Sequence, residues 1–417
     1  MSDSDQPGNR ASLSDVDSFE IAVVGGGAAG LMAATFAAES GAKVVLLEGS
    51  QKTGAKILIS GGGRCNVLPN EFDTSAFFTS GSTNVLRRIF RTWTLDQIRG
   101  FFENELNVPL ALERDSGKLF PESNRAKDIQ QALLLASRKA KVQLKLDWRV
   151  ERIHAGPPFI LQDDNGRRIS ADKVVLATGG KSLAETGSDG SGYGFAESLG
   201  HTTLPTYPAL VPLLTNDQTW MDIPGVAHYV EWTAFLKDKA VDVGDGNLLF
   251  THVGFSGPAA LNCSHWVARD GATIRLAWNG WNEETWLKKI RASSRKELGP
   301  LLSDFLPRRL SNAILHHCKL PVEQQVSQLR KMDRNLFVSA LSAFELPISE
   351  PRDFRYAEVT GGGVPLSEVQ PSTLESRCTP GLFLCGELLD VIGKIGGHNF
   401  LWAWCTGKLA GTQAAKK

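Results

Sequence analysis

The sequence predicts an α/β protein with a Rossmann-like nucleotide-binding unit, interrupted by an inserted region that is β-rich and then helical. Three observations predict it. A strand, a glycine-rich turn, a helix and a second strand follow one another between Phe19 and Glu48. A further apolar strand ending in paired glycines appears in "DKVVLATGGKS". After a long interruption, "PGLFLCGELLDVIGKIGGHNFLWAWCTGKLAG" closes the chain with another strand and a glycine-opened helix.

The first unit is "FEIAVVGGGAAGLMAATFAAESGAKVVLLE". Gly25, Gly27 and Gly30 stand in G-x-G-x-x-G spacing between the strand and an alanine-rich helix. Gly25 permits the tight turn, Gly27 lets the backbone approach a pyrophosphate, and Gly30 lets helix and strand pack closely; the helix N-terminus offers amide donors to phosphate. Glu48, 23 residues beyond Gly25, stands where an acid hydrogen-bonds a ribose. This fingerprint does not separate NAD from FAD.

The rest of the chain separates them. The stretch "GSQKTGAKILISGGGRCN" puts a glycine-rich loop beside the phosphates and ribityl chain of a resident cofactor, which a transient hydride carrier does not need. Gly179 and Gly180 let a crossover strand pass close to the cofactor. The helix beginning near Gly396 and Gly397 aims its N-terminus at the negative charge that a reduced flavin collects on its pyrimidine edge. FAD is therefore the expected cofactor.

The interruption has its own pattern. Residues 19–201 and 351–417 read as a discontinuous FAD-binding domain around an inserted substrate or cap domain, 202–350. Within the insertion, 202–279 carries runs such as "HYVEWTAFL" and "NLLFTHVGF" and reads as a small barrel or sandwich. Residues 280–350 carry apolar positions every three or four residues in "EETWLKKIRASSRKELGPLLSDFL" and "PRRLSNAILHHC" and read as a helical cap. Residues 1–18 are polar and read as a disordered tail without a secretory signal.

Bulk properties exclude other classes. A hydrophobic share of 42% and a charged share of 22% describe an ordinary globular protein. Lys+Arg and Asp+Glu are both 45, so no global charge draws the chain to nucleic acid or an anionic membrane. No apolar run reaches the roughly 18 residues of a membrane span. Six scattered cysteines without a CxxC pair read as reduced thiols of a cytoplasmic protein, with no disulfide framework and no metal site.

These motifs together are specific. GGGAAGLMAA, KILISGGGRCN, LFPESNRAKDI, VVLATGG, TGSDGSGYGFAESLGH, LLFTHVGFSGPAAL, VTGGGVPLSEV, TLESRCTPGLFLCGELLDVIG and GGHNFLWAWCTGKLAG resemble the BaiN-like (YhiN-like) family of FAD-dependent NAD(P)H oxidoreductases. That family lies in the flavoprotein class whose FAD-binding domain is of the glutathione reductase and fumarate reductase type. The resemblance runs from about residue 19 to the C-terminus, and GGGRCN with the terminal glycine-pair helix is its most distinctive part. It implies FAD contacts from Gly25, Gly27, Ala28, Ala29, Gly30, Glu48, Lys56, Gly62, Gly63, Arg64, Cys65, Asn66, Val150, Ala177, Thr178, Gly179, Gly180, Gly386, Glu387, Gly397, His398, Asn399 and Phe400. Two positions depart from the family's usual pattern: His398 stands where an aromatic residue is usual and Leu401 where a glutamine is usual.

Family resemblance also implies the reaction: NADH or NADPH reduces FAD, and an electron-poor C=C bond is then reduced, in an enone-like small molecule or in uracil of ribosomal RNA. Cys65, His252 and His398 are the candidate proton donors, each weighed against a bland reading as a small buried residue, a core histidine or a backbone contributor. Arg114, Lys118, Arg125 and Lys127 form either a phosphate-binding run for NADPH or RNA, or a solvated face. Two alternatives stay open: an FAD-dependent oxidase of a small amine using oxygen, and a non-catalytic FAD-stabilised RNA-binding or assembly factor. Zero net charge argues against a large RNA footprint.

Overall fold

The computed structural model describes residues 16–416. Residues 1–15, most of the expected tail, lie outside the described residues, while Asp17 and Ser18 belong to the first strand rather than to a tail.

Strand β1 (Asp17–Val24) leads through the glycine turn into helix α1 (Ala28–Glu39) and strand β2 (Val44–Leu47). All four residues of β2 are buried, as befits a parallel strand covered on both faces. Helix α2 (Ala55–Gly63) and helix α3 (Ala126–Lys139) follow, then strands β3 (Gln143–Lys145), β4 (Val150–His154), β5 (Phe159–Asp163) and β6 (Arg168–Leu176). Together they form one sheet in the order β3-β2-β1-β6-β5-β4. β1 pairs in parallel with β6 along its whole length and with β2 over Ile21–Val24. β6 changes partner: its first half pairs antiparallel with β5, and Val174–Leu176 pairs in parallel with a strand from the far end of the chain.

Between those two points the chain builds a second sheet of seven strands, all antiparallel, running from Leu213 to Pro351. Its centre is the hairpin of β7 (Ala227–Leu236) and β8 (Lys239–Thr251). The Lys237-Asp238 turn between them has φ of 47° and 63°, the left-handed pair that a tight hairpin requires. Helix α4 (Gly257–Asp270) packs on this hairpin, and β9 (Thr273–Trp278) pairs with β7. The expected barrel or sandwich is instead a single sheet whose order does not close; helices cover it, so no second sheet is needed. Four fully buried tryptophans, Trp220, Trp232, Trp278 and Trp286, anchor its core.

The chain crosses between the sheets twice, and the crossings pair with each other: Leu204–Ala209 runs antiparallel to Val359–Gly363. The return brings in β10 (Leu382–Leu384), the parallel partner of β6, and the terminal helix α5 (His398–Ala414). Helix α5 lies directly on α1. A Cβ on Gly407 would sit 2.4 Å from the Ala29 carbonyl oxygen, and one on Gly411 would sit 2.1 Å from that of Ala33, so only glycine allows this approach. Among the described residues no helix is long and apolar enough to cross a membrane.

Candidate functional site

A cavity of about 790 Å³ runs along the carboxyl ends of β1, β2 and β6. That volume suits a large organic ligand, and the position is where open α/β sheets bind one. Its walls come from segments far apart in sequence: the first glycine turn, the end of β2, α2, residues 148–150, 177–179 and 183–189, Glu358-Val359, Gly386-Glu387, and the start of α5.

The three fingerprint glycines divide their work as the motif predicts. Gly25 has φ of 101°, and a Cβ there would lie 2.6 Å from the Ala177 carbonyl oxygen. Gly30 has no room either, since its Cβ would fall 1.8 Å from the Gly25 carbonyl oxygen. Gly27 differs: a Cβ there would meet no protein atom within 4 Å and would point into open space. Gly27 is also the N-cap of α1 and no side chain caps that end, which leaves the first-turn amides facing the cavity. Helix α5 repeats the device, with Gly397 at its N-cap and no side-chain cap.

In the Gly61-Gly62-Gly63 run the backbone, more than contact, excludes side chains. All three have positive φ, from 56° to 85°, where α2 kinks. Only Gly61 is crowded, its Cβ falling 3.0 Å from the Phe120 ring; Gly62 faces empty space.

The polar wall is held in place by a network. Glu48 accepts hydrogen bonds from the Gly26 amide (2.8 Å) and from the amide and hydroxyl of Ser50 (both 2.8 Å). Lys56 donates to Glu387 (2.9 Å) and to Ser182 (2.9 Å), while Glu387 also accepts from Ser182 (3.0 Å) and from the Thr360 amide (2.8 Å). Arg149 pairs with Asp189 on the wall beyond Glu48. At the α5 end, Asn399 exchanges two hydrogen bonds with the backbone of Gly393 (2.8 and 2.9 Å), which fixes the helix start. Arg64 pairs with Glu113 (2.9 Å) and lies over the Phe120 ring.

On residues of this wall, Asn66 Oδ1 and Thr178 Oγ1 have no hydrogen-bond partner among the described residues, but both atoms are covered by protein and do not open onto the cavity. A glycine opening onto space and two uncapped helix ends are what a wall looks like when its remaining partners belong to a bound dinucleotide. The residues present therefore fit FAD.

Most of the expected contacts lie on this wall, but Gly30, Gly63, Cys65, Gly180 and His398 do not. Gly180 is glycine for another reason, as its Cβ would strike Thr360 and Glu387. None of the three candidate proton donors lines the cavity. Cys65 is fully buried, and burial pushes its thiol up to about 12, while the adjacent Arg64 is spent on Glu113. His398 turns away toward Phe77, with ring centroids 5.5 Å apart, and burial lowers its pKa to about 4. Leu401 is core, so neither family departure faces the cavity. His252 is exposed on the turn after β8. Of the basic run, Lys118 lines the cavity, Arg125 pairs with Asp128 on the surface, and Arg114 and Lys127 are exposed.

What sequence reading missed is Arg149, Asp189, Lys118 as a wall residue, and Glu358. Glu358 lines the cavity as an exposed residue, and partial desolvation there raises its pKa against the pull of the nearby Lys118. The only signal was its place before the quoted "VTGGGV" motif. Elsewhere, His201, Glu368 and Cys378 bring ligand atoms within 4.8 Å of one another, but both ring nitrogens of His201 are already hydrogen-bonded.

The match to the HI0933-like protein Rossmann domain spans residues 19–413. The chain belongs to the HI0933-like family. Among HI0933-like relatives, the 3-dehydro-bile acid delta(4,6)-reductase of Clostridium scindens is 33% identical, over 95% of this chain and 99% of that protein. The ribosomal RNA dihydrouridine synthase of Escherichia coli is 31% identical, over 93% of this chain and 96% of that protein. The 3-ketosteroid delta1-dehydrogenase of Sterolibacterium denitrificans shares the fold, with a TM-score of 0.51 at 12% identity over 96% of this chain and all of that one.

Proposed function

We propose that this protein is an FAD-dependent oxidoreductase that takes electrons from NADH or NADPH and reduces an activated C=C bond, in an enone-like small molecule or a uracil of ribosomal RNA. The observation that carries the reading is the cavity wall, where two uncapped helix ends and the open side of Gly27 face the same space. Two relatives of nearly equal length support the acceptor class, since their names describe a Δ4,6 reduction and a dihydrouridine. Both involve a double bond polarised by a carbonyl.

When bound, FAD supplies the hydride chemistry. The protein supplies placement. Gly27 and the α1 amides would hold the pyrophosphate, and Glu48 would accept from the ribose hydroxyls. The α5 end would hold the other half of the cofactor. Residues 202–350 act as the inserted unit; none of them lines the cavity, and the paired crossings 204–209 and 359–363 lie at its base.

The test is to release and weigh the cofactor of the purified protein, then supply NADPH with an enone or with a uracil-containing ribosomal RNA fragment. FAD, and a product heavier by one hydride and one proton, are expected. A different cofactor, or substrates unchanged with every donor and acceptor, sinks the reading.

A further inference from the structure

Five basic side chains line the cavity: Lys52, Lys56, Arg64, Lys118 and Arg149. Three are spent, Lys56 on Glu387, Arg64 on Glu113 and Arg149 on Asp189. Lys52 is exposed beside Ser50, at the Glu48 end. Lys118 is left. It is half-buried at the start of the strand Lys118–Pro121, and its ammonium makes no hydrogen bond and no ion pair among the described residues. It stands at the other end of the cavity: a Cβ on Gly396 would lie 3.9 Å from Lys118 Cε, so the lysine stem runs beside Gly396-Gly397 at the uncapped start of α5. The charges around it leave it free. Glu113, opposite on the paired strand, is held by Arg64 and Ser116; Glu358 forms no ion pair with it; and His398, at the same corner, is neutral because burial lowers its pKa to about 4.

A partly desolvated ammonium without a partner is a cost to the empty protein, and it is recovered when a negative charge arrives. That charge is not phosphate, which belongs at the α1 end where Gly27 opens onto space. We propose that Lys118 is the counter-charge of the reduced cofactor, holding reduced FAD more tightly than oxidised FAD; this rests on the FAD-dependent reductase reading above. In the step a C–H bond of the dihydronicotinamide breaks, its hydrogen and electron pair pass to the neutral flavin ring, the nicotinamide becomes cationic, and the ring gains one net negative charge. Lys118 gives up no proton. It matches the new charge and so favours uptake of hydride from NADH or NADPH. An opposite charge a few ångströms away shifts a titration by roughly one to three units, and for a half-buried lysine the low end, about one unit or tenfold, applies.

The experiment compares wild type, Lys118→Met, Lys118→Gln and Lys118→Arg, each loaded with FAD. Calorimetry gives the affinity for oxidised FAD, equilibration with a redox dye gives the two-electron potential, and the near-ultraviolet spectrum of the dithionite-reduced protein, followed across pH, separates the neutral from the anionic reduced ring. Lys118→Met and Lys118→Gln are expected to keep most of their affinity for oxidised FAD and to lose about tenfold in preference for the reduced form, which lowers the potential at alkaline pH by about 30 mV. Removing the cation also raises the titration of the reduced spectrum by about one pH unit, and Lys118→Arg restores both values. An unchanged potential and titration in both neutral variants overturn the assignment, as does an equal loss of affinity for both redox forms. No readout needs an acceptor or a nucleotide, so a wild type that holds FAD and reduces no alkene sinks the reductase reading while Lys118 is still decided by its own shifts. A protein that takes up no FAD sinks both.

Discussion

Gly27 and Gly30 are three residues apart in one motif, yet the structure predicts opposite consequences for substituting them. Gly27→Val places its side chain in empty cavity, in a backbone with φ of −78° that valine adopts freely. Its cost to the fold is the loss of a tolerated N-cap residue, about 1 kcal/mol or less. The pyrophosphate, however, loses its place, so FAD affinity falls at least about 100-fold, which is about 2.8 kcal/mol. Gly30→Ala puts a carbon 1.8 Å from the Gly25 oxygen, so α1 must move out by about 1.5 Å to restore ordinary contact. That shift disturbs Leu31, Met32, Ala33 and Ala34, all fully buried, and costs about 3 kcal/mol, the upper part of the range for overpacking. Calorimetric titration with FAD and thermal melts of the apoprotein measure the two effects separately. A Gly27→Val protein that binds FAD normally, or a Gly30→Ala protein as stable as wild type, refutes the assignment of the cavity.

Other consequences follow from the same geometry. Cys378 is the one exposed cysteine, so a thiol alkylator applied to the folded protein at mildly alkaline pH labels a single site; labelling of Cys65 shows that its thiol is not sealed. Burial holds His265 and His398 near pKa 4 in the fold, against 6.5 unfolded. The unfolded chain therefore binds more protons below pH 6.5, and stability falls as pH drops from 6.5 to 4, by up to about 3 kcal/mol for each histidine. Urea unfolding at several pH values reads this slope, and His265→Gln should flatten it; an unchanged slope contradicts the assignment. His201→Phe removes a buried ring bonded to Glu368 and Ser376 (both 2.8 Å) and costs about 2 kcal/mol, while FAD affinity stays unchanged because His201 is not on the cavity wall.

The cofactor side of this site was legible because its signals are local. Gly25, Gly27, Gly30 and Glu48 lie within one strand-helix-strand unit whose glycine spacing marks it in the sequence, although what Gly25 meets, Ala177, comes from far along the chain. The rest of the wall was not legible, because its residues converge through long-range folding. Glu358 and Lys118 reach one cavity from strands 240 residues apart, and no periodicity records that. His398 shows the limit from the other direction. Placing a residue at a helix start is easy, but α5 turns about 100° per residue, so Asn399 and Phe400 meet the cavity while His398 and Leu401 do not. Cys65 failed on charge: Arg64 is adjacent in sequence, but its guanidinium is bound to Glu113. The sheet of the inserted region was legible as β-rich and not as an open sheet, since alternation in "HYVEWTAFL" reports a buried face without saying what covers it.

The most direct test of the central claim is anaerobic mixing of the FAD-loaded protein with NADPH and, separately, NADH, followed by exposure of the bleached enzyme to air, an enone or a uracil-containing ribosomal RNA fragment. The account predicts that one of the nucleotides bleaches the flavin, that air restores the colour slowly, and that one of the two alkene acceptors restores it fast. Bleaching by a small amine and by neither nucleotide, with immediate recovery in air, would contradict it and point to an oxidase.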